Sequence, residues 1–424
     1  MNEKHQDLTI GGLTVTELRN KYQTPLYVMD ETAIRKQCQL FNHAFKHRDV
    51  ETEVMYASKA FLTVQMCHLI HEEQLSLDVV SGGELFTAIK ANFPMDKVYF
   101  HGNNKSIEEL QMAIKHQVGY IVIDHQDEFS RLESLLKHTD KVRVLLRINP
   151  GIEAHTHEYI QTTKNDSKFG LSIFSHETMT LIETMKNHPT IEFMGFHSHI
   201  GSQIFEEKSF IEHASAVLNF IRKVYDSIGV ETSIMNLGGG FGVTYTKDDQ
   251  PFDISLFLPK LLDHVETLSK TLSLKTPKVV IEPGRAIVAE AGYTLYTVNS
   301  IKKTFGGKKY VFVDGSMADH IRTALYQAKY HAVIGNRMLD ENETNYTVAG
   351  KACESGDIII HDVMLPEPRE NDLLVVFSTG AYHYSMSSNY NRLLRPAVVF
   401  VKDGESRLVV KRETYQDLIR NDIE

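Results

Sequence analysis

Val54-Met55-Tyr56-Ala57-Ser58-Lys59, the amphipathic stretch Phe61 to Glu73, and Leu77-Asp78-Val79-Val80-Ser81-Gly82-Gly83-Glu84 together read as one strand–helix–strand unit. The outer runs are apolar and stop abruptly on polar residues, while the middle stretch carries its apolar residues at helical spacing. The unit recurs. Further β-type runs are Val98-Tyr99-Phe100, Tyr120 to Ile123, Val142 to Ile148, Phe193 to Ile200, Met235-Asn236-Leu237 and Val279-Val280-Ile281, which makes eight in all. Helical patterns fall among them at Ser106 to Gln117, Glu128 to Lys137 and Ser209 to Ile228, with another at Ala33 to Lys46 ahead of the first run. This alternation predicts an α/β fold, a TIM-type (β/α)8 barrel over residues 30–290, and suits a doubly wound open sheet less well.

Beyond residue 290 the rhythm changes to short runs rich in Val, Ile, Tyr and Phe: Thr294 to Val298, Tyr310 to Val313, Asp357 to His361, Leu373 to Phe377 and Ala397 to Val401. They predict a second, mostly antiparallel β domain over residues 291–424. Residues 1–29 hold two more such runs, Leu8-Thr9-Ile10 and Leu26-Tyr27-Val28, so this domain is expected to be built from both chain ends.

The chain has 424 residues, 42% hydrophobic and 24% charged, which is the composition of a globular protein and not of a disordered one. Its net charge is −10 with no basic tract, which argues against nucleic acid and anionic membrane surfaces as partners and for a small molecule. Three cysteines, Cys38, Cys67 and Cys353, make no disulfide framework. With no basic-then-apolar start and no long apolar run, a cytoplasmic location is expected.

A barrel builds its site at the carboxyl ends of its strands, and here those ends are polar: Ser58-Lys59, Ser81 to Glu84, His101 to Asn104, Asp124, Arg147 to Pro150, His197-Ser198-His199, Gly238-Gly239-Gly240 and Glu282 to Arg285. Lys59 closes an apolar strand, a setting that suits Schiff-base chemistry, although an ordinary rim lysine reads the same way. The glycine run and Gly284 let backbone N–H groups approach a phosphate, or simply make tight turns. Glu282 can keep a ring nitrogen protonated or serve a structural ion pair. His197 and His199, two apart, share one face of a strand, so a metal-dependent barrel hydrolase with His101, Asp124 or Glu282 as further ligands is the rival reading. Cys353-Glu354-Ser355-Gly356-Asp357 concentrates reactive types in one turn of the second domain, and Arg322 with Tyr326 and Gly380-Ala381-Tyr382 are individually bland but jointly of interest.

In their order and spacing these stretches resemble the fold-type III pyridoxal-phosphate-dependent decarboxylases, and within them the diaminopimelate decarboxylase family. The resemblance is carried by Tyr56 to Ala60, Asp78 to Leu85, His101 to Lys105, Ser167 to Gly170, His199 to Gln203, the glycine run, Glu282 to Arg285, Arg322 to Tyr326, Cys353 to Asp357 and Gly380 to Tyr382. It implies a carboxy-lyase that converts meso-2,6-diaminopimelate to L-lysine and CO2 with pyridoxal 5'-phosphate, the last step of lysine biosynthesis. Another basic amino-acid decarboxylase of the same fold is the nearest alternative. By this resemblance Lys59 holds the cofactor covalently, His199 stacks on its ring and Glu282 pairs with the ring nitrogen. Asp78, Ser202, Gly239, Gly240, Gly284, Arg285 and Tyr382 complete the cofactor shell. Arg285, Arg322, Tyr326 and Tyr382 take the substrate with Glu354, which receives its ammonium, and Cys353 returns a proton. The family also implies a homodimer with shared active sites. Thr163, Ser316-Met317-Ala318 and Thr323 depart from the family pattern, the first of them within the Thr162 to Asp166 loop.

Overall fold

A computed structural model describes residues 7–152, 167–341 and 343–423, so the Thr162 to Asp166 loop and its Thr163 departure lie outside the described residues. The chain divides into two compact units, residues 37–242 with 251–286, and residues 1–36 with 243–250 and 287–424.

In the first unit eight parallel strands close into a ring: β1 Thr52–Ala57, β2 Ser76–Val79, β3 Val98–Phe100, β4 Tyr120–Ile123, β5 Val142–Asn149, β6 Ile191–His197, β7 Ile234–Asn236 and β8 Lys278–Ile281. Closure comes from β8 pairing with β1, Ile281 opposite Val54. The interior is packed by Met55, Tyr99, Tyr120, Val122, Leu145, Ile234 and Val280. Short loops then deliver the chain to helices such as Val64–Glu72, Gly82–Lys90, Ile107–Lys115 and Gln126–Leu135.

The carboxyl-end loops are stitched by acids from the first turn of successive helices. Glu84 accepts from Ser58 Oγ at 2.6 Å and from the Val80 N–H at 2.7 Å. Glu109 accepts from the N–H groups of Gly82 at 2.6 Å and Ser106 at 2.8 Å, the latter closing a capping box. Glu128 accepts from the Asp124 N–H at 2.7 Å and from Lys105 Nζ at 2.6 Å. Lys105 is fully buried and also donates to the carbonyls of Gly102 at 2.9 Å and Val122 at 2.6 Å. Each stitch ties one strand end to the next, so the rim is held by charge-assisted bonds.

One strand differs from expectation. The run expected to reach Ile200 ends at His197, after a register shift between Phe193 and Gly195, and Ser198 turns its N–H to the Asn236 carbonyl at 2.9 Å. Gly195 has φ +141 and its missing Cβ would lie 2.1 Å from the Ile234 carbonyl oxygen, so only glycine fits beside β7 there. His199 is therefore a loop residue and does not share a strand face with His197.

The second unit is a mixed sheet in the order Ile358–Leu365, Thr344–Ala349, Lys309–Val313, Gly292–Lys303, Leu26–Asp30, Ala397–Lys402, Glu405–Val410, with Leu373–Val376 paired to both Gly292–Lys303 and Ala332–Ile334. Leu26–Asp30 runs antiparallel to Gly292–Lys303 and parallel to Ala397–Lys402, so both chain ends build the sheet. Thr9–Ile10 makes its own small hairpin with Leu13–Thr14. Of the departures from the family pattern, Ser316 Oγ accepts from the Ala318 N–H at 3.0 Å, and Thr323 Oγ1 donates to the Ile359 carbonyl at 2.7 Å, a bond proline cannot make.

The Lys105–Glu128 pair gives a direct test. Glu128→Ala leaves a buried cation without its anion and is expected to cost about 3–5 kcal/mol, read as a lowered urea midpoint. Replacing both partners by Met and Leu should recover most of that loss, and equal instability of the double variant would contradict the account.

Candidate active site

The ends of β1, β2, β3, β6, β7 and β8 bring the predicted barrel residues together. Lys59 sits in the turn Ser58–Ala60 directly after β1, its side chain 41% exposed and its Nζ 4.0 Å from Asp78 Oδ2. Asp78, near the end of β2, is fully buried, and neither carboxylate oxygen accepts a hydrogen bond among the described residues. Burial pushes its carboxyl above the ordinary value, opposed by His101 and Lys59.

Glu282 follows β8 and is also buried, but its environment is the opposite. Asn236 Nδ2 donates to Oε1 at 2.7 Å, His101 Nε2 lies 3.1 Å from the same oxygen, and His197 Nε2 lies 3.5 Å from Oε2. Burial alone would raise this carboxyl; His101 and His197 outweigh it and hold Glu282 ionised, well below the usual range. His197 itself is kept neutral by burial, down to about 3. His199 is likewise held neutral, first by loss of solvent and then by the cations of Lys59 and Arg147.

Three loops interlock beside this cluster. The Glu282 N–H donates to the Gly238 carbonyl at 2.9 Å, and the Ile204 N–H to the Gly240 carbonyl at 2.9 Å. A Cβ on Gly239 would stand 2.3 Å from the Glu282 carbonyl oxygen, and Gly240, at φ +114, would place one 2.7 Å from the Gly201 carbonyl. Gly284 packs as closely on Ala57, and Arg285 reaches across to Ser202 Oγ with Nη2 at 3.0 Å. Glycine backbone and a buried guanidinium thus lie close together where side chains have been excluded, an arrangement suited to a phosphate.

In the second unit, Arg322 heads the short helix Arg322–Tyr326 and is 7% exposed. Its guanidinium lies 4.8 Å from the ring centre of Tyr326 and 5.2 Å from that of Tyr382. No carboxylate among the described residues lies within ion-pair distance of it. Cys353 and Glu354 occupy a separate, exposed turn, where the Cys353 N–H donates to Asn391 Oδ1 at 2.6 Å and Tyr390 donates to Glu354 Oε2 at 3.1 Å. The Gly356 N–H and then the Tyr390 hydroxyl hold the Glu354 carboxyl below its ordinary value.

Of the metal ligands considered, His101, His197 and Glu282 converge, with ligand atoms within 4.8 Å of one another, while His199 and Asp124 stand outside that group. In this cluster both imidazoles approach Glu282 directly, His101 at 3.1 Å and His197 at 3.5 Å. Sequence reasoning assigned no task in the site to Asn236 or Arg147 and saw His101 only as a metal ligand. The available signal was a polar residue near the end of each apolar strand.

An ionised carboxylate, a neutral imidazole, an accessible amine and a glycine-lined cradle fit a phosphorylated pyridine. A family model, "Pyridoxal-dependent decarboxylase, pyridoxal binding domain", matches residues 31–289. The chain is 49% identical to diaminopimelate decarboxylase of Bacillus subtilis over 99% of its own length and 96% of that protein's. It is 43% identical to the enzyme of that name from Mycobacterium tuberculosis, covering 97% and 93% of the two chains. The structure of diaminopimelate decarboxylase from M. jannaschii in complex with L-lysine superposes with a TM-score of 0.93 at 34% identity, covering 99% of this chain and 97% of that one. Full-length similarity at this level, on a barrel whose mouth is furnished for pyridoxal phosphate, places the chain in the diaminopimelate decarboxylase family of pyridoxal-dependent decarboxylases.

Proposed function

We propose that the protein is a pyridoxal-phosphate-dependent carboxy-lyase that converts meso-2,6-diaminopimelate to L-lysine and CO2, the barrel of residues 30–290 carrying the cofactor and residues 1–29 with 291–424 forming the second domain. The observation that carries the substrate assignment is the buried Arg322, which has no carboxylate partner among the described residues. Ornithine- and arginine-type substrates end in a cation alone; diaminopimelate keeps a second carboxylate at its distal end, which a guanidinium fork receives.

Pyridoxal phosphate supplies the electron sink for the charge left when CO2 departs. The protein's residues supply the rest. Lys59, 41% exposed, would hold the cofactor covalently, with its amine open to the mouth of the barrel. Glu282, ionised by its neighbours, holds a proton at the ring nitrogen. His199, kept neutral, stacks on the ring without adding a second positive charge to it. Asp78, Ser202, Gly239, Gly240, Gly284, Arg285 and Tyr382 hold the remaining cofactor atoms. Arg285, Arg322, Tyr326 and Tyr382 take the substrate, Glu354 its distal ammonium, and Cys353 returns a proton to carbon. The thiol of Cys353 and the carboxylate of Glu354 are exposed on their own turn, which supports their use in the site of a second copy, within a homodimer. No helix among the described residues is long and apolar enough to cross a membrane, and none of the three cysteines is joined in a disulfide, which supports a cytoplasmic location.

Hydride reduction of the yellow holoprotein should fix the cofactor to Lys59, seen as one modified peptide by mass spectrometry; label on another lysine would displace Lys59. Glu282→Gln should retain the cofactor and lose most turnover, because a neutral amide cannot hold the ring nitrogen protonated. Arg322→Ala should raise the Michaelis constant for diaminopimelate and weaken transition-state binding by roughly 1.5–3 kcal/mol, the range for a hydrogen bond to a charged group.

The shared site is tested by mixing. Lys59→Ala and Cys353→Ala dimers should each be nearly inactive, and activity should return after subunit exchange, since some heterodimers then hold one intact site. No recovery with exchange confirmed would refute sharing and leave the reaction standing.

A further inference from the structure

The guanidinium of Arg322 has five N–H donors, and how a carboxylate meets it depends on which are already engaged. Arg322 Nε donates to the Tyr330 hydroxyl at 3.1 Å, and this is the one side-chain hydrogen bond that Arg322 makes among the described residues. The rings of Tyr326 and Tyr382 lie beside the guanidinium, attracting the cation without using an N–H. The terminal nitrogens keep their donors.

Tyr330 is itself immobilised. It is 4% exposed and belongs to the core of its unit, with Val313, Tyr346, Ile359 and Val376 among its cluster. Three rings meet it nearly at right angles: His320 at 4.6 Å and 74°, His383 at 5.2 Å and 82°, and Tyr245 at 5.2 Å and 83°. His320 is fully buried, neither ring nitrogen has a hydrogen-bond partner among the described residues, and burial holds it neutral, down to about 3. It acts here as a flat packing surface. His383 is tied through Nδ1 to the Ala381 carbonyl at 3.0 Å, on the far side of Tyr382, whose φ is +63. The same short segment therefore fixes a wall for Tyr330 and a ring for Arg322. Within this box the phenol rotates little, and its hydroxyl holds Nε in place.

We infer that Tyr330 is a positioning residue for substrate specificity: by occupying Nε it blocks side-on approach to Arg322 and leaves the two terminal nitrogens as an end-on fork for the distal carboxylate of the substrate. This rests on the assignment of Arg322 as the receptor for that carboxylate. No chemistry at the reacting carbon passes through Tyr330, so its effect belongs to binding. The carboxylate that stays on the product, L-lysine, occupies the same fork, whereas cadaverine, the diamine of the same length, has none to offer.

The test uses the cofactor-loaded enzyme with Tyr330→Phe, which removes the hydroxyl and keeps the ring that the box packs against. The Michaelis constant for meso-diaminopimelate and the inhibition constant of L-lysine should each rise roughly tenfold, with kcat and cofactor occupancy little changed and the inhibition constant of cadaverine unmoved. Arg322→Ala is measured alongside. If it weakens L-lysine selectively while Tyr330→Phe does not, the positioning role is overturned and the carboxylate receptor stands. If Arg322→Ala leaves the L-lysine to cadaverine ratio unchanged, the receptor assignment falls and the inference with it. Equal weakening of both inhibitors by Tyr330→Phe would mean that the hydroxyl acts on something other than the carboxylate and would also overturn the proposal.

Discussion

The side chain of Asn236 holds the site together by using both ends of one amide. Its Nδ2 donates to Glu282 Oε1 at 2.7 Å, and its Oδ1 accepts from the Gly238 N–H at 2.9 Å. The backbone completes the triangle, because the Glu282 N–H donates to the Gly238 carbonyl at 2.9 Å. A primary amide offers a donor and an acceptor side by side in one plane, so neither a carboxylate nor an aliphatic residue could bridge these groups. The triangle requires Gly239 to lack a Cβ, since the loops after β7 and β8 approach there to 2.3 Å of where that atom would stand. Closure of the barrel thus does more than shield apolar strands: it brings an acid and a glycine run from adjacent strand ends into one hydrogen-bonded unit.

Two buried carboxylates, Asp78 and Glu282, flank His101, and their surroundings drive them in opposite directions. Among the described residues Asp78 receives no hydrogen bond and is pushed up by burial; Glu282 accepts an amide N–H, has two imidazoles beside it and is pulled down. A pair separated in this way can hold one fixed negative charge while the other acid exchanges a proton with its neighbours. The fixed charge is that of Glu282, held by its neighbours. Asp78, the acid that burial pushes up, lies with Oδ2 4.0 Å from Lys59 Nζ.

Much of this was legible in residue order. Strands β3 and β4 fall on the residues predicted for them, because short runs such as Val98-Tyr99-Phe100 are bounded by turn residues and a capping serine. Lys59, Glu282 and the glycine run were found because a polar residue closing an apolar run has few places to go in a barrel except the mouth. The His197–His199 pairing misled, since alternation assumes that a strand continues, and the crossing at Gly195 and the turn at Ser198 end it first. Asn236 was passed over because a single asparagine near the end of a three-residue strand resembles any strand boundary. Residues 243–250 belong with the second unit although they lie between β7 and β8, which no local pattern announces.

The surroundings of Arg322 were the least legible part, since they draw on Tyr245, His320, Tyr326, Tyr330, Tyr382 and His383, spread over much of the carboxyl-terminal half. They also show how a buried cation can persist without an anion. A hydrogen bond to a neutral phenol and two aromatic faces, each worth about 0.5–2 kcal/mol, offset part of the desolvation cost and leave the rest uncompensated. That remainder is a source of selectivity. A ligand with a distal carboxylate completes the set of partners, whereas one without it leaves a buried guanidinium unsatisfied, and sites built around such a group discriminate far more sharply than apolar pockets do. Full neutralisation by a protein carboxylate would remove that uncompensated cost, so under the role proposed for Arg322 its incomplete pairing is what would make the site sensitive to the substrate's far end.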